Sequence, residues 1–255
     1  MARTVSDSTR RFSDRVDDYV RYRPHYPPGV LDRLREGVGL TPAAVIADIG
    51  AGTGISTELF LRNGNPVFAV EPNREMRAAA ERILGDCPGF HSVDGTAEAT
   101  TLPAASLDGV VAAQAFHWFD PGKARDEFRR ILRPGGWVAL MWNRRRKYTT
   151  PFSRAYEALL ETYGVDYAQV RHERIDAAEL DRFFLPGYQL RTLPNQQSLD
   201  FDALKGRLLS SSYTPTEAQE SYAPMIKALQ DIFQEHQQGG HVRFDYETQI
   251  YFGQV

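Results

Sequence analysis

The stretch that most limits what this chain can become is Val45-Ile46-Ala47-Asp48-Ile49-Gly50-Ala51-Gly52-Thr53-Gly54, followed by Ile55, Leu59 and Phe60. Residues 45–49 are apolar and rich in β-branched side chains, with one acid near the end, as in a strand buried on both faces of a parallel sheet. Three glycines at alternate positions then free the backbone for a tight turn, and apolar residues resume at helical spacing. Strand, Gly-rich turn and helix in that order form the crossover with which open α/β sheets bind nucleotides.

The residues around the turn narrow the ligand. A turn that cradles a pyrophosphate spaces its glycines as G-x-G-x-x-G, so that the phosphates rest on amides at the helix N-terminus. Here the third glycine comes one residue early, at Gly54, and Ile55 stands where that pattern wants glycine. This argues against a nicotinamide dinucleotide and an NAD-dependent oxidoreductase. Asp48 lies two residues before the first glycine, where its carboxylate is expected to point at the pocket. Glu71 ends the next apolar run, 66–70, at the place of an acid that grips ribose hydroxyls. Two carboxylates repel a pyrophosphate and attract a cation, so the expected ligand is S-adenosylmethionine, which joins a sulfonium and an ammonium to adenosine.

The motif from Asp48 to Gly54 and the strand-end Glu71 occur together with two later segments, Gln114-Ala115-Phe116-His117-Trp118-Phe119 and Leu132-Arg133-Pro134-Gly135-Gly136. Together they resemble class I S-adenosylmethionine-dependent methyltransferases, and more closely the type 11 group that includes trans-aconitate-methyltransferase-like proteins. The resemblance covers about residues 12–143. It implies one α/β domain with a Rossmann-like sheet, mostly parallel with one antiparallel C-terminal strand, and helices on both faces. In such a domain residues 1–40 make an N-terminal helical lid, 41–147 the cofactor-binding core, 148–187 a substrate cap, and 188–255 complete the sheet.

The resemblance also assigns roles. Asp48, Gly50, Ala51, Gly52, Thr53, Gly54 and Glu71 bind the cofactor, and Pro72 and Met76, just beyond Glu71, are placed to cover the adenine. In the family an Arg-Pro-x-Tyr-Pro segment lids the cofactor, which implies that Arg23 pairs with its methionyl carboxylate, with Tyr19 and Tyr26 on the acceptor side. Many relatives carry an acid at the place of Thr96, where it accepts a hydrogen bond from the adenine amino group. In this sequence the Thr96 hydroxyl, Glu98, Asp94 or backbone alone can take that part, in the loop that also holds Ala97.

In an open parallel sheet ligands sit at the carboxyl ends of the strands. Gln114 and Ala115 at the end of strand 107–113 are therefore expected beside the cofactor. His117 and Trp118 are expected at the acceptor, with His117 the candidate base. Strand 137–142 ends at the same edge and leads into Asn143-Arg144-Arg145-Arg146-Lys147, where Asn143 and Arg144 are expected to hold the substrate, Arg144 through an anionic group. His117 has no partner at metal-ligand spacing, so no metal is expected. The expected reaction is methyl transfer to a small-molecule acceptor, with a carboxylate among the acceptors considered. The competing reading is a sensor or scaffold that binds S-adenosylmethionine without turnover.

Elsewhere, helices are expected over 6–22, 28–36, 73–84, 148–163, 176–184, 200–209 and 214–235. The last begins on a Thr214/Glu217 capping box with Pro215 in the first turn. Strands are expected over 90–93, 188–193 and 242–252. The net charge of −3 does not favour nucleic acid, and Cys87 is the only cysteine, which excludes an intrachain disulfide and fits a reducing compartment. No run reaches membrane-spanning length and the N-terminus lacks an apolar leader core. The expectation is a soluble cytoplasmic protein, monomeric or homodimeric.

Overall fold

The computed structural model describes residues 20–165, 167, 177–211 and 213–255. Seven strands form one sheet in the order β3-β2-β1-β4-β5-β7-β6. They are β1 (Ile46–Ile49), β2 (Val67–Val70), β3 (Phe90–Val93), β4 (Leu107–Ala113), β5 (Leu132–Arg145), β6 (Tyr188–Leu199) and β7 (Val242–Gly253). Strands β1 to β5 pair in parallel, and β7 runs antiparallel to both β5 and β6, as expected. Among the described residues the longer helices are α1 (Gly29–Val38), α2 (Ile55–Arg62), α3 (Arg74–Leu84), α4 (Pro121–Ile131), α5 (Pro151–Tyr163), α6 (Ala177–Phe183), α7 (Phe201–Leu209) and α8 (Tyr222–His236). Among those residues, no helix is long and apolar enough to cross a membrane.

The strand pleat sorts the apolar residues into two layers. Val110 and Ala112 of β4, with Val138, Leu140 and Trp142 of β5, pack under Phe128 and Ile131 of α4 and Phe183 of α6. Their neighbours Val111, Trp137, Ala139 and Met141 face the other way, against Val30 and Leu34 of α1 and Phe60 of α2. Because both faces are covered, the central strands are apolar at almost every position rather than alternating. The edge strand β6 alternates toward solvent and tolerates Pro194, which cannot donate to a ladder.

Tyr26 belongs to the second layer, buried with Val30 and Leu34. This corrects its expected place beside the acceptor: the ring fills core space that α1 leaves open. Tyr19 and most of the expected helix 6–22 lie outside the described residues.

A third layer lies beyond the parallel sheet. The β7–β6 hairpin overshoots the end of β5, since Arg145 pairs with Tyr246 and leaves 242–245 projecting. Phe244 on that overhang and Tyr246 at its base pack with Phe152 and Tyr156 of α5, Leu204 and Leu208 of α7, and Leu229 of α8. Residues from both sides of position 187 thus build one helical layer at the carboxyl end of the sheet.

Two local expectations change. The helix expected from Thr214 begins at Tyr222. Thr214 donates its hydroxyl back to the Ser211 carbonyl (2.7 Å), and Gln219 Oε1 takes the Thr216 amide (2.7 Å), so side-chain bonds close a turn where the capping box would have opened a helix. Strand β5 begins at Leu132, five residues before the expected start, but 133–136 loop out of the ladder between the pairs Leu107–Leu132 and Gly109–Trp137. Gly135, at φ +81°, permits the excursion.

Gly37 on α1 lies against the Phe252 ring, where an added Cβ would sit 2.3 Å from a ring carbon. Helix propensity alone would make Gly37→Ala stabilising by about 1 kcal/mol. The buried ring cannot retreat, so we expect a net loss of about 1 to 3 kcal/mol from overpacking, read from the urea unfolding midpoint.

Candidate active site

The order of strands reverses between β1 and β4, so the loops leaving their carboxyl ends diverge and open a cleft. Gly50, Gly52 and Gly54 all have positive φ (69°, 57° and 88°), which explains glycine at alternate positions. A Cβ on Gly50 would meet Ala115 at 2.7 Å, whereas one on Gly52 would meet nothing within 4 Å. The turn is therefore pressed against the β4 end at Gly50 and open at Gly52. The Gly50 amide donates to the Val70 carbonyl (2.9 Å), tying the turn to β2.

Glu71 completes this frame. Its two carboxylate oxygens accept from the Gly52 amide (2.9 Å) and the Asn73 amide (2.8 Å), and Asn73 in turn caps α3 through the Met76 amide. Burial pushes the Glu71 carboxyl up from its ordinary value, and the Asn73 and Gly52 amides pull against that shift. Pro72 is half-buried next to it, while Met76 is buried in α3.

Asp48 is fully buried, and Oδ2 accepts from Ser56 Oγ and Thr57 Oγ1 (both 2.7 Å) in the first turn of α2. A carboxylate on a buried strand finds its nearest donors there, and these hydroxyls hold it. Its other oxygen, Oδ1, has no hydrogen-bond partner, and neither has Thr53 Oγ1. Burial pushes Asp48 up to about 6, although Ser56 and Thr57 pull it down. Buried polar atoms are normally satisfied, so two orphans in one turn are what a polar ligand would complete.

In the loop after β3, Asp94 pairs with Arg77 (2.8 Å), and Glu98 Oε1 accepts from the Asp120 amide (2.8 Å). Ala97 is buried in the core, and the Thr96 amide bridges to the Ala99 carbonyl (3.1 Å). The Thr96 hydroxyl makes no hydrogen bond among the described residues.

At the β4 end Gln114 has φ +55°, a conformation rarely adopted by residues other than glycine. Its amide donates to the Met141 carbonyl (2.8 Å) and its Nε2 to the Asn143 carbonyl (3.2 Å). In the following run Phe116 and Phe119 turn into the core, Phe116 edge-on to Phe183 at 4.7 Å. His117 and Trp118 stay half-exposed with ring centroids 4.8 Å apart.

Asn143 is a buried clamp. Its Oδ1 accepts from Thr248 Oγ1 (2.5 Å) and Asn195 Nδ2 (3.1 Å), and its Nδ2 lies 3.3 Å from the His25 carbonyl. Those bonds commit its side chain to the fold, in place of the expected substrate contact. Arg23, just before His25 in the chain, donates from Nη2 to the Ser210 carbonyl (2.7 Å).

The expected anion holder, Arg144, is exposed and stands across from Glu247 in the ladder. Side chains alternate along a strand, so it is Arg145, sharing the face of Asn143, that turns inward. Its guanidinium meets Glu157 (2.5 Å) and lies over the Tyr156 ring (5.0 Å). Counting by two from the buried Met141 reaches Arg145, but β5 is apolar on both faces, which hides that phase. Arg207, also buried, is a second inward cation that sequence reasoning missed. Its signal was an arginine three residues after Leu204 on the apolar face of α7.

Residues 47–140, from β1 to the middle of β5, match a family model described as a methyltransferase domain. That stretch is similar to a class I methyltransferase domain of the type 11 group. Over 141 residues the chain is 41% identical to an uncharacterized methyltransferase of Mycobacterium bovis, a match covering 54% of each chain. The chain thus spans about half the length of the curated relatives it matches. It is 32% identical over 158 residues to an uncharacterized methyltransferase-like protein of Schizosaccharomyces pombe, covering 62% of this chain and 60% of that protein. A solved structure from Anaeromyxobacter dehalogenans, provisionally named a type II methyltransferase, superposes with a TM-score of 0.67 at 24% identity, over 91% of this chain and 98% of that one. That likeness speaks to the fold alone.

Burial of Asp48 makes the fold sensitive to pH. The folded value of Asp48, about 6, lies above the ordinary 3.8, so the folded state holds the proton more tightly than the unfolded chain. The resulting stability is fully present below about pH 4 and is lost as pH rises through about 6. Asp48→Asn keeps an oxygen for Ser56 and Thr57 and never ionises. Relative to it, the ligand-free wild type should lose up to about 3 kcal/mol between about pH 4 and 7. Urea titrations across that range check this, and a difference that stays flat refutes it.

Proposed function

We propose that this protein transfers a methyl group from S-adenosylmethionine to a small-molecule acceptor. The observation that carries the reading is the turn itself: open space at Gly52, framed by Glu71 and backed by the unsatisfied Asp48 Oδ1 and Thr53 Oγ1. Glu71 retains free lone pairs after its two amide bonds and suits a ribose diol. The Thr96 hydroxyl suits the adenine amino group, and the five-donor guanidinium of Arg23 suits a carboxylate. Ionised Asp48, buried behind the turn, favours a cationic ligand over a pyrophosphate.

When bound, S-adenosylmethionine supplies an electrophilic methyl on a good leaving group. The chain's part is to align an acceptor, exclude water and hold the approach in line. Positioning of this kind contributes about 7 to 11 kcal/mol to a two-substrate reaction. His117 and Trp118 offer themselves at the acceptor side, and the helical layer of α5, α7 and α8 caps the same end of the sheet. A carboxylate acceptor is already ionised at neutral pH and needs no base, so His117 would orient it. For a phenol, amine or carbon acid, His117 is the group placed to take the proton.

Incubation of the protein with methyl-tritiated S-adenosylmethionine and a metabolite extract should yield a labelled product, identified by mass. Cofactor binding without any labelled product would reduce the protein to a binder. Glu71→Ala should weaken cofactor binding by about 1 to 3 kcal/mol in calorimetry, and an unchanged affinity would remove Glu71 from the site. With the acceptor in hand, His117→Ala separates the two roles: activity that persists across neutral pH means that no base is required.

A further inference from the structure

The third layer holds a buried cluster of cationic side chains. Arg145 donates from Nη2 to Glu157 Oε2 (2.5 Å) and to Tyr167 OH (3.3 Å), and its guanidinium faces the Tyr156 and Phe244 rings at 5.0 and 5.8 Å. Lys147 reaches the other Glu157 oxygen at 2.8 Å. Glu157 is therefore already shared by two cations. Arg207 enters from α7, donates from Nη1 to Ser211 Oγ (3.3 Å), and forms no ion pair among the described residues. Only 7% of Arg207 and 8% of the Arg145 side chain are exposed.

Electrostatics joins these groups into one cluster. Tyr156 and Tyr213 each feel both guanidiniums, and Arg23 acts on Tyr213 as well. Burial pushes the Tyr213 phenol up, yet Arg145, Arg207, a Ser211 hydrogen bond and Arg23 outweigh it and hold the phenol below its ordinary value. The local field is thus strongly positive. Three buried donors in the cluster have no hydrogen-bond partner: Arg145 Nε, Arg207 Nε and Tyr156 OH.

A buried lysine can shed its proton to escape such a site, but an arginine cannot. Burying a guanidinium without a counter-charge carries a heavy desolvation penalty, which is removed when an anion with several acceptor oxygens arrives. The cluster lies at the carboxyl end of β5, two residues beyond Asn143, whose carbonyl receives Gln114 from the β4 end. That is the acceptor side in the methyl-transfer reading, on which this inference rests. We propose that Arg145 and Arg207, with Tyr156 and Tyr213, form an anion-binding subsite that anchors a carboxylate or phosphate group of the methyl acceptor.

Arg207 is the residue to change, since removing Arg145 would also break its ion pair with Glu157. The full chain is titrated with succinate and with inorganic phosphate, against sodium chloride at equal ionic strength, and melting is followed. Wild type should be stabilised by one of the two anions beyond chloride, succinate indicating a carboxylate and phosphate a phosphate ester. Arg207→Met should raise the melting temperature of the ligand-free protein, because an uncompensated charge is gone, and weaken anion binding at least tenfold. Arg207→Lys, which keeps charge without the planar fork, should fall between, and the exposed Arg144→Ala should respond as wild type.

A lower melting temperature for Arg207→Met together with an unchanged anion response would make Arg207 structural and overturn the subsite. Failure of both anions to exceed chloride in wild type would overturn it too. Calorimetry with S-adenosylmethionine on the same proteins keeps the two readings apart. A wild type that binds cofactor but shows no anion response refutes only the subsite, and absent cofactor binding in wild type refutes the methyl-transfer reading.

Discussion

The side chain of Asn143 joins parts of the molecule that are distant in sequence. From the end of β5 it takes a hydroxyl from Thr248 on β7 and an amide from Asn195 on β6, and it reaches the carbonyl of His25 in the segment before α1. Its own carbonyl accepts from Gln114, at the strained end of β4. A buried amide is stable only when its oxygen and nitrogen both find partners, so the clamp fixes four segments relative to one another. The cleft at the β1–β4 switch and the cluster at the end of β5 therefore keep a constant relation.

Charge is divided along that cleft. On one side the turn is backed by Asp48 and Glu71, both raised chiefly by burial. On the other, Arg145 and Lys147 share Glu157, and the buried Arg207 acts on the same tyrosines as Arg145. The two halves are built differently. The acidic half is a continuous strand, turn and helix, while the basic half is assembled from β5, α5, α7 and the overhang of β7. Each half retains unsatisfied polar atoms, Asp48 Oδ1 and Thr53 Oγ1 in the first, two guanidinium Nε atoms and a phenol in the second. Buried polar groups left unmet at two adjoining places cost stability, and ligands that meet them recover it.

Much of the fold was legible because its signals are local. The β1 turn needs left-handed backbone at alternate residues, and Gly50, Gly52 and Gly54 state this directly. Asn73 and Asp120 were readable as helix caps, and both accept the amides expected of them. Reading failed where a local pattern had a competitor, as at Thr214, whose hydroxyl turned back to Ser211. Nor does the sequence show that a distant amide, that of Asp120, reaches one oxygen of Glu98.

By itself the sequence determined the nucleotide-binding crossover, the parallel sheet with its reversed last strand, and Glu71 at the rim of the turn. All of these depend on contacts between neighbours in the chain or on burial that shows as an apolar run. Only the tertiary structure decided that Ser56 and Thr57 hold Asp48, that Tyr26 is core, and that Arg145 rather than Arg144 is buried with Arg207. Those outcomes follow from strand phase and register and from the packing of α7 against β7. A run of three arginines, or one arginine on a helix, carries no mark of which guanidinium will lose its water.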